Sequence, residues 1–216
     1  MNEGSLNSII TNGVLSVLAI FSIISLSIII ERFIFLARYK IHLNLYRKYI
    51  PNDISTLKQL LTAKGAGSKS SKQRMTPFDA ILLSILTLPV INRAEMHERL
   101  DAKFTEVYML YQSKVNILGI FAKLSTLLGL FGTVTGMIES FNNIVDKGVS
   151  TASIVASGIS SALITTAAGL IIAIPVTFFY EYFNDKIDKE IKKMEIITSD
   201  LLSTLIDKSR ERSTAK

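Results

Sequence analysis

Long stretches without a charged residue constrain this chain more than any other feature. Residues 6–30 hold no charge in 25 positions, and residues 148–180 hold none in 33. A third stretch of 15 uncharged residues separates Lys123 from Glu139, and the apolar run 115–122 precedes it. A hydrocarbon core of ~30 Å needs about 20 apolar residues in a helix, and backbone groups in lipid must be satisfied within the segment. The sequence therefore predicts an all-α membrane protein with three transmembrane helices.

The distribution of lysine and arginine predicts the orientation of these helices. None precedes the first span, 13 lie between Arg38 and Lys114, and eight lie from Lys186 onward, whereas the loop after the second span has only Lys147. By the positive-inside rule, the N-terminus and that loop face outward, while the middle segment and the tail are cytoplasmic. The predicted parts are an outer N-terminus at 1–8, transmembrane helices at 9–35, 115–141 and 152–180, a cytoplasmic helical segment at 36–114, an outer hairpin at 142–151 and a cytoplasmic helical tail at 181–216.

The composition argues against several classes of function. The net charge of +6 is explained by this topology, and the basic residues are mixed with 18 acidic ones, so we expect no nucleic-acid partner. The absence of cysteine excludes disulfides, thiolate catalysis and cysteine-based metal sites. His42 and His97 have no ligand-spaced partner, and no Ser-His-Asp arrangement is discernible. We therefore predict no catalytic residue, no metal and no cofactor.

The charged parts of the chain predict helices outside the membrane. "LYRKYI" and "ISTLKQLL" favour short helices, residues 64–77 favour a loop, and residues 78–88 favour an apolar helix ended by Pro89. No proline lies between Asn92, a suitable N-cap, and Lys147, which predicts one continuous helix. The third span passes Pro175 into a charged sequence with helical spacing. We expect long helices that extend from the membrane into the cytoplasm as a bundle.

Small residues form a stripe along each of the last two spans. Their spacing of three or four residues places each set on one helix face, where close helix packing is expected because small side chains let backbones approach. We predict packing roles for Gly129, Gly132, Gly136 and Ser157. The stripes are Gly119, Ala122, Ser125, Gly129, Gly132, Gly136 and Ser140 in the second span, and Ser153, Ser157, Ser161, Thr165 and Gly169 in the third.

Threonines and acids in the spans are the candidate functional residues. Thr133 and Thr166 lie within ~6 Å of the same depth if the hairpin turns near Lys147. They either face one cavity or bond their own helix carbonyls, and spacing leaves both readings open. Glu139 lies near the outer end, as a candidate rim residue. Nothing titrates between Lys123 and Glu139 or within the third span. If the chain belongs to a proton-driven machine, the carboxylate that stores the proton must therefore come from another chain.

Three motifs resemble one known family. "ERFIFL" at the end of the first span, "LLGLFGTVTGMIESF" in the second and "SGISSALITTAAGLIIAIPVTFFYEYF" in the third are similar to the ExbB/TolQ branch of the MotA/TolQ/ExbB proton-channel family. The resemblance covers residues 113–186 and implies a multi-pass protein of the bacterial inner membrane with a periplasmic N-terminus. It also implies a homo-oligomer, commonly a pentamer, around an ExbD/TolR-type single-span partner that carries the proton-binding aspartate.

The resemblance also implies a role for individual residues. The family's pore-lining threonines correspond to Thr133 and Thr166, and Thr165 is a candidate accessory residue beside them. Many relatives have a glutamate where this chain has Ser161, in the context "SSAL". Either that acid is dispensable, or another residue such as Glu139 takes over part of its role.

The implied function is an ExbB-like subunit that uses the proton motive force to energise TonB-dependent outer-membrane transport. A TolQ-like subunit linked to TolA shares the same span motifs and is the nearest alternative. A structural scaffold in the lipid membrane, with stripes that only pack helices, and a stand-alone cation channel gated near Glu139 are the others. MotA fits less well because it has four spans and a larger cytoplasmic domain.

Overall fold

The computed structural model describes residues 3–38, 46, 54–65, 76–87, 93–147 and 152–214, and their regular structure is helical. This agrees with the predicted all-α class. The predicted helix at 45–50, apart from Tyr46, and the predicted N-cap Asn92 lie outside the described residues. The described helices are α1 (Glu3–Arg38), α2 (Ile54–Gly65), α3 (Pro77–Thr87), α4 (Arg93–Gln112), α5 (Val115–Lys147) and α6 (Ala152–Thr214).

Three of these helices are long and apolar enough to cross a membrane, as predicted. The candidate spans are Asn12–Ala37 in α1, Val115–Asn142 in α5 and Ala156–Ile206 in α6. Helix α6 has 63 residues and continues from the apolar span into the charged sequence with Pro175 inside it. Spanning helices tolerate proline because local adjustments satisfy the freed backbone groups.

The predicted continuous helix from Asn92 to Lys147 is wrong. Two turn residues, Ser113 and Lys114, separate α4 from α5. Serine and asparagine are weaker helix formers than alanine or leucine, and a serine hydroxyl competes for backbone hydrogen bonds. Ser113 lies in the break and Asn116 follows it in the first turn of α5. The absence of proline therefore did not suffice to predict an unbroken helix.

The chain forms two compact units. The first, called here the membrane unit, comprises Met1–Ile34 and Ser113–Asn184. Within it α1 packs on both other spans: Phe21 stacks on Phe121 of α5 with ring centroids 4.8 Å apart, and Phe33 meets Phe183 of α6 edge-on at 6.2 Å. Glu31 of α1 also forms an ion pair with Lys114.

The second unit comprises Phe35–Gln112 and Asp185–Lys216. Its core includes Tyr46, whose ring meets Phe78 edge-on at 5.4 Å and whose hydroxyl donates to Asp79 Oδ1 at 2.5 Å. The Thr76 N–H donates to Asp79 Oδ2 at 2.8 Å and the Asp79 N–H donates to Thr76 Oγ1 at 3.1 Å, which makes a capping box at the start of α3. Pro77 suits the first helical position. Burial and the bond to Asp79 both raise the pKa of the Tyr46 phenol.

Candidate functional site

The candidate site lies on the seam where α5 and α6 touch inside the membrane unit. All seven residues of the small-residue stripe of α5 are buried. A Cβ at Gly129 would lie 3.1 Å from the Cα of Thr166, and a Cβ at Gly169 would lie 3.0 Å from the Cα of Gly129. The two backbones are therefore in direct contact, which is the arrangement that small residues permit.

Contacts along the seam define an antiparallel register. Gly119 lies against Tyr180, Gly129 against Gly169, Gly136 against Ala162, and Ser140 against Gly158. Each step forward along α5 is matched by a step backward along α6. The pairs extend over about six helical turns of α5, so the register is set by many contacts.

The buried face of α6 differs from the predicted stripe. Ser157 and Ser161 are exposed, whereas Ala162, Thr165, Gly169, Ala173 and Val176 are buried. A helix has 3.6 residues per turn, so a strict four-residue repeat rotates by about 40° at each step. The predicted stripe therefore leaves the seam toward the N-terminal end of α6, where Ser157 is exposed. The Ser153 side chain lies outside the described residues.

Two threonine hydroxyls, those of Thr165 and Thr166, contact one carbonyl on the seam, and the Thr133 hydroxyl lies beside that of Thr166. We call these three residues the hydroxyl cluster. The Thr166 hydroxyl donates to the Gly129 carbonyl oxygen at 2.9 Å, across the two helices. The Thr165 hydroxyl, on a fully buried side chain, lies 2.7 Å from the Ala162 carbonyl and 3.3 Å from the Gly129 carbonyl. The Thr133 hydroxyl donates to the Leu130 carbonyl at 2.7 Å.

The structure matches the alternatives that the sequence left open only in part. Thr133 bonds a carbonyl of its own helix, while Thr166 bonds across the seam, and the two hydroxyl oxygens are 3.5 Å apart. Each hydroxyl directs its hydrogen to a carbonyl at 2.9 Å or less, which leaves oxygen lone pairs free to accept. Thr133 is buried and Thr166 half-buried, so the pair lies at the edge of the seam.

Ionisable residues lie away from this cluster. Glu139 is half-buried and six residues beyond Thr133, or ~9 Å along the helix, and Lys123 is exposed. A hydroxyl passes a proton along but does not store one at ordinary pH. Among the described residues, no group of histidines and acids could hold a metal ion. The cluster can therefore donate and accept hydrogen bonds and orient a bound group, and it contains no group that stores a proton.

The sequence reasoning missed several members of the seam. The Gly129 carbonyl, which accepts from two hydroxyls, and the contact residues Gly158 and Ala162 were not singled out. The spacing in the sequence could have indicated Gly158 and Ala162. Together with Thr165 and Gly169 they follow the 3.6-residue period of a helix, whereas the predicted stripe had a strict four-residue spacing. The carbonyl has no signal in the sequence, because its role depends on how closely the helices approach.

Comparison with known proteins places the chain in a class of membrane proton channels. It belongs to the MotA/TolQ/ExbB proton channel family, whose model matches residues 73–196, more than half of the chain. The family indicated by the span motifs is thus confirmed. No curated protein matches the sequence.

A solved structure of C. jejuni MotAB has a similar fold. The TM-score is 0.57 at 16% sequence identity, and the match covers 92% of this chain and 77% of that one. At this identity the likeness establishes the fold alone and does not identify the branch of the family.

Proposed function

We propose that the chain is an ExbB-like subunit of a motor in the bacterial inner membrane, driven by the proton motive force. With an ExbD-type single-span partner it energises TonB-dependent outer-membrane transport. The chain forms a homo-oligomer, with five copies as the expected number, around the partner's transmembrane helix. Its N-terminus (1–8) and hairpin (142–151) face the periplasm, and residues 36–114 and 181–216 lie in the cytoplasm.

The observation that carries this proposal is the pairing of Thr133 and Thr166. Their hydroxyl oxygens lie 3.5 Å apart at the edge of the seam, and residues 124–138 and 152–179 around them contain no titratable side chain. Polar groups within a membrane span are costly and are usually retained for function. A hydroxyl pair without a nearby acid suits the wall of a proton path, where the partner's aspartate binds and releases the proton.

The hydrogen bonds support a different task for each hydroxyl. Thr166 and Thr133 each direct their hydrogen to a carbonyl, Gly129 and Leu130 respectively, so their oxygens accept from water or from a protonated carboxyl group. Thr165 is sealed in the seam and holds the helices together rather than lining the path. Glu139 and Ser161 serve in this proposal as rim or accessory residues nearer the outer end.

The test replaces each hydroxyl with a methyl group of similar shape. Thr133→Val and Thr166→Val should abolish energised uptake while the complex with the partner still assembles. Thr135→Val and Thr177→Val are matched controls, because both hydroxyls bond only carbonyls of their own helix at 2.8–3.1 Å. The measurements are proton-driven nutrient uptake in cells and copurification of the partner from membranes.

The outcomes separate the alternatives. Normal uptake in both variants would overturn the pore-lining assignment and favour a structural scaffold. Conductance from this chain alone in liposomes would favour a stand-alone channel. A copurifying partner that works with TolA would place the chain in the TolQ branch.

A MotA-like role is a second candidate, favoured by the fold shared with C. jejuni MotAB over 92% of this chain. It predicts that loss of the chain stops flagellar rotation. Unchanged motility together with lost nutrient uptake would reject it.

A further inference from the structure

Lys123 carries a charge inside the second candidate span, and the proposed proton path does not use it. Its side chain is exposed, and it lies nine residues beyond Lys114, or roughly 13 Å at 1.5 Å per residue. Lys114 has an acidic partner, Glu31 of α1. Ionisable residues within spans are costly, pair with other groups and usually mark a function, so the partner of Lys123 has to be identified.

The chain offers no counter-charge at the depth of Lys123. Its ammonium group has no ion pair among the described residues. Residues 4–30, 115–138 and 148–180 contain neither aspartate nor glutamate. Glu181 is the first acid beyond the uncharged part of α6, and the contact of Gly119 with Tyr180 places it roughly 7 Å further along the membrane unit. A carboxylate at the depth of Lys123 therefore has to belong to another molecule.

Helical geometry places Lys123 on the same side of the membrane unit as the threonine pair. Phe121 of α5 stacks on α1, which marks the side that α1 covers. At about 100° per residue, Thr133 lies about 120° and Lys123 about 200° around α5 from Phe121. Thr166 lies beside Thr133. The side of α5 that carries Thr133 and Lys123 is therefore turned away from α1.

We propose, on the basis of the function proposed above, that Lys123 forms an ion pair with a carboxylate of the single-span partner. In that function the partner's helix lies against Thr133 and Thr166. Lys123 is ten residues from Thr133, or ~15 Å along α5, so this carboxylate lies about that far from the partner's proton-binding aspartate, toward the cytoplasm. Lys123 is a positioning residue, because a charge pair fixes the register of two helices without taking part in proton transfer.

Two other anions could neutralise Lys123. A lysine side chain can extend along a span to a phosphate headgroup at the membrane surface, and the Glu181 carboxylate could approach if both side chains changed rotamer. Ionisable residues within spans usually face other helices or a water-filled cavity rather than lipid. Glu181 is exposed at the charged end of the span and forms no ion pair with Lys123 in the structure. Both observations favour the partner's carboxylate.

The test measures how much partner copurifies with the full-length chain from membranes, together with proton-driven uptake in cells. Lys123→Glu reverses the charge and should lower partner recovery at least tenfold, since losing one member of an interfacial charge pair is costly. Lys123→Gln should lower it about fivefold, and Lys123→Arg should leave it within about twofold. Lys192→Glu is the matched control, an equal reversal at an exposed position of the second unit, and should also stay within about twofold. Unchanged recovery with Lys123→Glu would overturn the ion pair.

Charge reversal on the partner identifies the counter-charge. Changing the partner's acid at the matching depth to lysine should restore the recovery of Lys123→Glu. Restoration by Glu181→Lys in this chain would instead show an internal pair. Normal partner recovery together with loss of copurified phosphatidylglycerol, measured by mass spectrometry, would show a lipid headgroup site. Either of these two results would overturn the proposal.

The outcomes for Lys123 can be separated from those for the proposed function. Uptake that is lost in Thr133→Val and Thr166→Val but normal in Lys123→Glu would overturn the role of Lys123 alone. A full-length chain from which no single-span protein copurifies would overturn the proposed function itself. Far-UV circular dichroism establishes that each variant is folded.

Discussion

Exchanging side-chain size across the seam should cost little, although each half of the exchange is harmful alone. A methyl group at Gly136 would lie 2.7 Å from the Ala162 Cβ and 3.2 Å from its Cα, whereas ordinary contact begins near 3.4 Å. Ala162 is 2% exposed, so it has no space to move into. Gly136→Ala therefore forces the helices apart at this point.

The size of the effect follows from two opposing contributions. Overpacking a tight core costs about 1–3 kcal/mol, while replacing glycine within a helix gains about 0.5–1 kcal/mol. Gly136→Ala should lower the free energy of unfolding by about 1–2 kcal/mol. Ala162→Gly should cost about 1 kcal/mol through lost helix preference and lost contact. In the double variant the overlapping methyl is gone and the helix preferences cancel, so its stability should be close to that of the original protein. The two single effects sum to about 2–3 kcal/mol, so we expect a coupling of about that size.

The assay is unfolding in detergent micelles by added denaturing detergent, followed by far-UV circular dichroism at fixed protein concentration. Gly13→Ala is the matched control, because a Cβ there meets nothing within 4 Å. It should be neutral or stabilising by up to about 1 kcal/mol. Additive effects in the double variant, or a Gly136→Ala variant as stable as Gly13→Ala, would refute the seam geometry.

Two further predictions concern other contacts. Gly158→Ala should destabilise by about 1 kcal/mol, because the new methyl displaces the Ser140 hydroxyl from its 2.8 Å bond to the Gly136 carbonyl; adding Ser140→Ala should recover part of that loss in the same unfolding assay. Tyr46→Phe should destabilise by about 1.5–3 kcal/mol, because the buried Asp79 carboxylate loses a donor. Since the folded state raises the pKa of the Tyr46 phenol, the native protein keeps a proton that the unfolded chain releases above pH 10, so stability falls as pH rises there. Tyr46→Phe should make that fall shallower, and an unchanged pH slope would contradict the assignment.

The spans and the cluster were predictable to different degrees. Uncharged runs of span length have few alternatives to a transmembrane helix, which is why the number of candidate spans, three, agrees with the prediction. The break at Ser113 depended on local competition for backbone hydrogen bonds, which the absence of proline did not reveal. Residue counts along the spans predicted that Thr133 and Thr166 lie at similar depth. The bond from the Thr166 hydroxyl to the Gly129 carbonyl was not predictable in this way, because it depends on the distance between the two helix backbones.

The buried face of α6 shows how a small error in the assumed helical period accumulates along a helix. A four-residue repeat and a 3.6-residue helix agree over one turn and diverge by about 40° at each later step. Thr165 and Gly169 were therefore placed correctly on the buried face, whereas Ser157 and Ser161 were not. Comparing each stripe with the helical period over its full length would have selected Gly158 and Ala162 instead.

The antiparallel seam has a consequence for how such sequences diverge. At each level two residues share one fixed volume: Gly136 with Ala162, and Ser140 with Gly158. A larger side chain on one helix is then tolerated only where the facing side chain on the other helix is smaller, so the two positions of a pair should change together. Across homologous chains we expect these positions to covary in opposite directions of size, while exposed positions on the same helices drift independently.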